Sequence, residues 1–133
     1  MEYGIVHIDI HQHARQDLNE LWRDNPKAAA SAEAVLEQLS ADPEVIDKLT
    51  THGDNTTGKN LINVKSWQSV RGIADLWRFR ILETPATTCR IIYGHHWYTR
   101  QLCIFAVVEK GTYDYDNLKS NINQRILTDW RDL

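Results

Sequence analysis

The 133 residues predict an α+β domain made of an N-terminal strand, two or three helices, a run of antiparallel strands forming a twisted sheet, and a C-terminal helix. Three observations carry that expectation. Near the start, Val6, Ile8 and Ile10 alternate with His7, Asp9 and His11, the period-2 pattern of a strand with one dry and one wet face. Two Asx-Pro pairs, Asn25-Pro26 and Asp42-Pro43, stand where helices begin. Three β-rich runs, LWRFRIL (76–82), TCRIIYGHH (88–96) and QLCIFAVVEK (101–110), then follow one another with short breaks.

Each element has its own justification. The first helix is expected from about Gln12 to Arg23, with Ala14, Leu18, Leu21 and Trp22 on one stripe, and NPK ends it. The second presents Ala28, Ala32, Val35, Leu36 and Leu39 inward, and its alanines suit close helix packing. A short third helix carries Val45, Ile46 and Leu49. The polar, glycine-bearing stretch THGDNTTGKN (51–60) predicts a surface loop. A turn around Trp97 to Arg100 would join the last two strands as an antiparallel hairpin. The closing helix, from about Asp116 to Trp130, has Leu118, Ile122, Ile126 and Trp130 at spacings of four.

Size and composition bound the rest. With 42% hydrophobic residues and five tryptophans, the chain can bury the core of one domain spanning 1–133. No apolar run approaches the roughly 20 residues of a membrane span, and MEYGIVHIDI lacks the basic start of a signal peptide, so a cytoplasmic protein is expected. Cys89 and Cys103 are too few for a disulfide framework and have no CxxC spacing. The net charge of −3 conceals an asymmetry: residues 1–64 sum to −6, residues 65–110 to +4 and residues 111–133 to −1. A basic middle third offers an anionic ligand a local surface, because charges farther than about 8 Å are largely screened at physiological salt.

His7, Asp9, His11 and His13 recur at every second position and all are metal-capable. Polar side chains on the wet face of any strand line up in this way, and no second ligand cluster stands out elsewhere. Solvated or structural histidines, with no metal and no cofactor, are the expectation.

The chemistry concentrates in LWRFRI. In a strand Trp77, Phe79 and Ile81 point one way, while Arg78 and Arg80 point the other. In TCRIIY, Cys89, Ile91 and Tyr93 would pack inward and Arg90 would project with Ile92. If the two outer faces coincide, three guanidiniums meet on one patch of sheet, and their planar forks suit a phosphate.

LWRFRI, CRIIYG, a strand ending FAVVEK and the segment GTYDY together resemble the core of the RelE/ParE superfamily of bacterial toxins. The resemblance covers residues 70–116. It implies a RelE/ParE-like fold and the toxin of a toxin–antitoxin system, with a cognate antitoxin as partner. In the RelE branch such a toxin acts on mRNA in the ribosome: the ribose 2′-OH attacks the adjacent phosphate, leaving a cyclic phosphate and a free 5′-OH. By position, Arg78, Arg80, Arg90, Lys110, Tyr113 and Tyr115 become the catalytic candidates, and Lys65, Arg71, His95 and His96 are candidates for substrate binding. This chain has arginines where lysines are found in that branch, and an arginine cannot readily accept the 2′-OH proton. His95, His96, Glu109 or a tyrosine remain as bases. In the ParE branch the same fold inhibits DNA gyrase by binding, without nuclease chemistry. A purely binding domain and a metal enzyme built on the N-terminal histidines are further alternatives.

Overall fold

The computed structural model describes residues 8–58, 60–82, 85–96, 101–109, 111 and 113–133. His7, the Trp97 to Arg100 turn and Lys110 therefore lie outside the described residues. The elements run β1 (Ile8–Ile10), α1 (Gln12–Asp24), α2 (Pro26–Ser40), α3 (Val45–Leu49), β2 (Gly53–Thr57), β3 (Asn60–Ser66), a 3-10 turn (Gln68–Val70), β4 (Leu76–Ile81), β5 (Cys89–His96), β6 (Gln101–Glu109) and α4 (Asn121–Arg131). The strands form one six-stranded sheet in the order β1-β6-β5-β4-β3-β2. Among the described residues only the β1–β6 pair is parallel. No helix is long and apolar enough to cross a membrane among the described residues.

Local chemistry sets the helix boundaries. The Asn25 side chain accepts from the Ala28 N–H at 3.3 Å and Pro26 supplies the first helical residue, so the residue that ends α1 starts α2. The stripe of α1 is narrower than its sequence suggests. Ala14, Leu18 and Leu21 are buried, whereas Trp22 turns outward and is 41% exposed. Asp42 accepts from the Glu44 N–H, and α3 starts only at Val45.

Two strands occupy the stretch 51–66, where a loop was expected over 51–60. β2 reads GDNTT and pairs antiparallel with β3 at the sheet edge. Polar residues on both faces blunt such an edge, and they also erase the alternation by which a strand is recognised. Gly58, at φ +56°, begins the turn between them. α4 likewise begins at Asn121 rather than near Asp116, because Ser120 caps it by accepting from the Asn123 N–H at 3.2 Å.

One sheet face carries Ile62, Val64, Phe79, Ile81, Ile91, Tyr93 and Ile104 into a core closed by α1, α2 and α3. The fully buried Tyr93 donates its hydroxyl to the Leu49 carbonyl at 2.6 Å, tying β5 to the end of α3. The other face has a smaller core of Trp67, Leu76, Ile92, Phe105, Ala106, Val108, Ile126 and Leu127 under α4. An extra residue in β6, where Ile92 and Tyr93 pair with Ala106 and Ile104, turns both Phe105 and Ala106 toward α4.

β1 covers only Leu102–Ile104, so β6 is left as an edge beyond that point. A half-buried ion pair seals it. The Asp17 carboxylate accepts from the Val107 N–H at 3.1 Å and pairs bidentately with Arg125 at 3.0 and 2.8 Å. Arg125 also donates to the Phe105 carbonyl at 3.0 Å, which joins α1, β6 and α4 at one point.

α4 docks where β5 has no side chain. A Cβ at Gly94 would lie 2.7 and 2.8 Å from ring carbons of Trp130 and 3.0 Å from Phe105. Gly94→Ala is expected to lower stability in urea melts by about 1–3 kcal/mol by pushing Trp130 off the sheet. Gly72→Ala, with open space around the new carbon, should stay within about 0.5 kcal/mol. Equal costs for the two variants would contradict this account of the docking.

Candidate anion-binding face

Cross-strand register decides whether the arginines meet. Arg80 pairs directly with Arg90, and Arg78 pairs with Ile92 on one side and Lys65 on the other. Two rows result on the α4 side of the sheet: the polar row Asn63, Arg80, Arg90 and, one step along, Lys65 and Arg78 followed by the apolar Ile92. Directly opposed residues have Cα atoms about 4.5–5.5 Å apart and same-face neighbours along a strand about 6.6 Å apart. The three guanidiniums thus rise from one small patch.

The patch is electrostatically unrelieved. Like charges opposite each other destabilise a sheet, yet among the described residues no carboxylate forms an ion pair with Arg78, Arg80 or Arg90. Burial, together with Arg80, holds Arg78 below the usual guanidinium range; burial, with Arg78 and Arg80, does the same to Arg90. The neighbouring Tyr115 acts on both in the opposite direction. Arg90 is the anchored member, 8% exposed, with Nη1 donating to the Thr87 and Cys89 carbonyls at 2.9 and 3.1 Å. Arg78 and Arg80 are half-buried. Nη1 of Arg78 and Nε of Arg80 are buried atoms without a hydrogen-bond partner among the described residues, as are the Tyr115 hydroxyl and Asn63 Oδ1. Leaving a buried donor unpaired costs about 1–3 kcal/mol.

An aromatic wall borders the patch. Trp67 Nε1 donates to the Tyr115 carbonyl at 2.9 Å, and the Trp67 ring meets Tyr115 edge-on at 5.8 Å. Tyr113 meets Tyr115 edge-on at 4.6 Å and donates its hydroxyl to Asn123. The fully buried Asn123 in turn holds the Asp114 and Asn117 carbonyls at 2.9 and 2.8 Å. Tyr113 is therefore committed to the loop's own structure, while Tyr115 stands beside Arg78 and Arg90.

The other sequence candidates separate. Lys65 is exposed on the same face, next to Arg78. Arg71 is exposed on the turn before β4. His95 and His96 close β5. Six residues of strand put His96 about 20 Å from Arg90, and His95 stands three residues, about 10 Å, beyond the Ile92 that faces Arg78, so the imidazoles lie past the Arg78 end of the patch and far from Arg90. Glu109 is exposed at the end of β6, beside a cleft of about 290 Å³ that Asp17, Glu20 and Asp24 make acidic and unsuited to a phosphate.

Two features had no usable sequence signal. Asn63 joins the polar row only because β3 exists. The histidines of the opening motif are not simply solvated: His11 and His13 are half-buried and face Asp129 of α4, with Nδ1 atoms 3.5 and 2.7 Å from Oδ2. That partner is 116 residues from His13 in sequence. Asp9, by contrast, accepts from Gln101. The two cysteines are buried and unpaired, and burial, followed by the charge of Asp9, pushes the Cys103 thiol up to about 12, so neither is a nucleophile at neutral pH.

No protein-family model, curated protein or solved structure matches this chain.

The tyrosines have a testable protonation state. Burial raises the Tyr113 and Tyr93 phenols above their ordinary range, and pushes Tyr115 up to about 12 although Arg78 and Arg90 pull it down. All three are neutral at physiological pH and none is a base there. Because the unfolded chain releases its phenolic protons first, near pH 10, stability should be full below about pH 10 and fall as pH rises toward 12. Urea melts across this range should show the loss in the wild type and a shallower one in Tyr115→Phe. Identical slopes would mean that Tyr115 ionises as freely in the fold as in the unfolded chain.

Proposed function

We propose that this protein is a RelE/ParE-like toxin of a bacterial toxin–antitoxin system that cleaves mRNA in the ribosome, using its own positive charge rather than a metal. One observation supports the reading above all: three guanidiniums, without carboxylate partners among the described residues, share a sheet face with Lys65 and a neutral tyrosine. In the proposed reaction the 2′-oxygen bonds to phosphorus as its proton passes to solvent water, the P–O5′ bond breaks, the departing 5′-oxygen takes a proton from water, and a 2′,3′-cyclic phosphate and a 5′-OH are left. Arg78 and Arg80, both half-buried, offer guanidinium N–H groups to the non-bridging oxygens, where charge builds in the transition state. Arg90, anchored beneath them, fixes the depth of the phosphate. The Tyr115 hydroxyl is a protonated donor, and with Trp67 it forms the wall against which a base stacks, a contribution of about 1–3 kcal/mol. His95 and His96 are assigned no part, because they lie past the Arg78 end of the patch and far from Arg90.

The experiment is induction of the chain in cells followed by mapping of mRNA 5′ ends. Wild type should give cuts in phase with codons that disappear when translation is blocked. Arg78→Ala and Arg80→Ala should each reduce cleavage by about 10²–10³-fold while melting within about 1 kcal/mol of wild type, since each removes a charge from a repulsive cluster. Intact mRNA accompanied by supercoiling defects would contradict the proposal and point instead to inhibition of gyrase.

A further inference from the structure

We propose that His11, His13 and Asp129 form a binding site for one divalent transition-metal ion, with Zn²⁺ the best-matched class, which clasps the end of α4 to the corner between β1 and α1. The site is independent of the arginine face and of the function proposed for it. His11 caps α1 and His13 is its second residue, so a strand-to-helix corner aims two imidazoles at the same point. Asp129 arrives from α4, and its carboxylate lies between them: the three donor atoms are all within 4.8 Å of one another. Ligand atoms about 2.0–2.1 Å from a tetrahedral zinc lie about 3.3 Å apart; the two separations to Asp129, 2.7 and 3.5 Å, bracket that value, and the imidazoles, within 4.8 Å of each other, would draw together on binding.

The surroundings of Asp129 call for a cation. It is 7% exposed, it sits near the C-terminus of a helix, where the backbone dipole disfavours negative charge, and among the described residues its hydrogen-bonding and ion-pair partners are the two imidazoles. Two imidazoles and one carboxylate select borderline ions such as Zn²⁺ or Co²⁺ over Ca²⁺ or Mg²⁺. The His11 and His13 side chains are 27% and 33% exposed, which leaves an entry path and room for a water as fourth ligand. Metal entry exchanges two existing contacts for coordinate bonds, the cap bond from the His13 N–H to His11 Nδ1 at 3.1 Å and the 2.7 Å hydrogen bond between His13 Nδ1 and Asp129 Oδ2.

The test uses the full chain stripped with a chelator and titrated with Co²⁺, read by the visible absorption of four-coordinate cobalt, then displaced with Zn²⁺. Wild type should take up one equivalent and melt at a higher temperature with Zn²⁺ than without. Asp129→Asn and His13→Ala should each weaken binding by about a hundredfold or more. His11→Gln, which keeps a side-chain acceptor for the cap, should retain the melting temperature of the metal-free protein and still lose the cobalt spectrum. His52→Ala, at a histidine held by Ser66 on the far side of the sheet, should bind like wild type. No stoichiometric uptake by the wild type, or undiminished uptake by His11→Gln or Asp129→Asn, would overturn the proposal.

Discussion

A single short helix cannot dry the second face of a six-stranded sheet. The 11 residues of α4 span about 16 Å and a helix is about 10–12 Å across, whereas six strands at about 4.8 Å spacing extend about 24 Å. Three helices close the opposite face, but α4 reaches only the β5–β6 half of its own. The β3–β4 part is only partly covered, and there the chain places Lys65, Arg78 and Arg80 beside the buried Arg90. Setting Arg80 directly across from Arg90 lowers stability. A solvated face could have been built more cheaply, and the unpaired donors of Arg78 and Arg80 make the same point.

The boundary between the dry and charged halves is held from both sides. The Asp17–Arg125 pair replaces the hydrogen bonds that β1 is too short to supply and fixes the start of α4 to the β6 edge. Trp130 on the bare backbone of Gly94 fixes its far end. Between α4 and the arginines, the loop organised by Asn123 lays Tyr115 against Trp67 and so turns the rim of the smaller core into one wall of the charged patch. Stability and site geometry therefore share residues, and moving α4 would move Tyr115.

Period-2 patterning made β4 and β5 legible, and with them the outward direction of Arg78, Arg80 and Arg90. Their convergence depended on register, which pairs 80 with 90 through contacts that no local pattern encodes. β2 and β3 were hidden for a physical reason: an edge strand that is polar on both faces has a loop's composition, and the alternation of Ile62 and Val64 with Asn63 and Lys65 is too short to stand out beside it. Tyr113 and Tyr115 are equivalent in sequence, and only the buried amide of Asn123 separates a structural phenol from one beside the guanidiniums. Asp129 could not be assigned to the histidines of the opening motif, because nearly the whole chain lies between them.

The most direct measurement of the central claim is side-chain and amide NMR of the chain titrated with a short RNA whose ribose at the scissile position lacks its 2′-OH. Shift changes should centre on the Arg78, Arg80 and Arg90 Nε–H groups and extend to Lys65 and Tyr115, with His95 and His96 unmoved. Changes centred on the cleft by Asp17 and Glu20, or an absence of change at the three guanidiniums at saturating RNA, would contradict the assignment of this face to a phosphodiester.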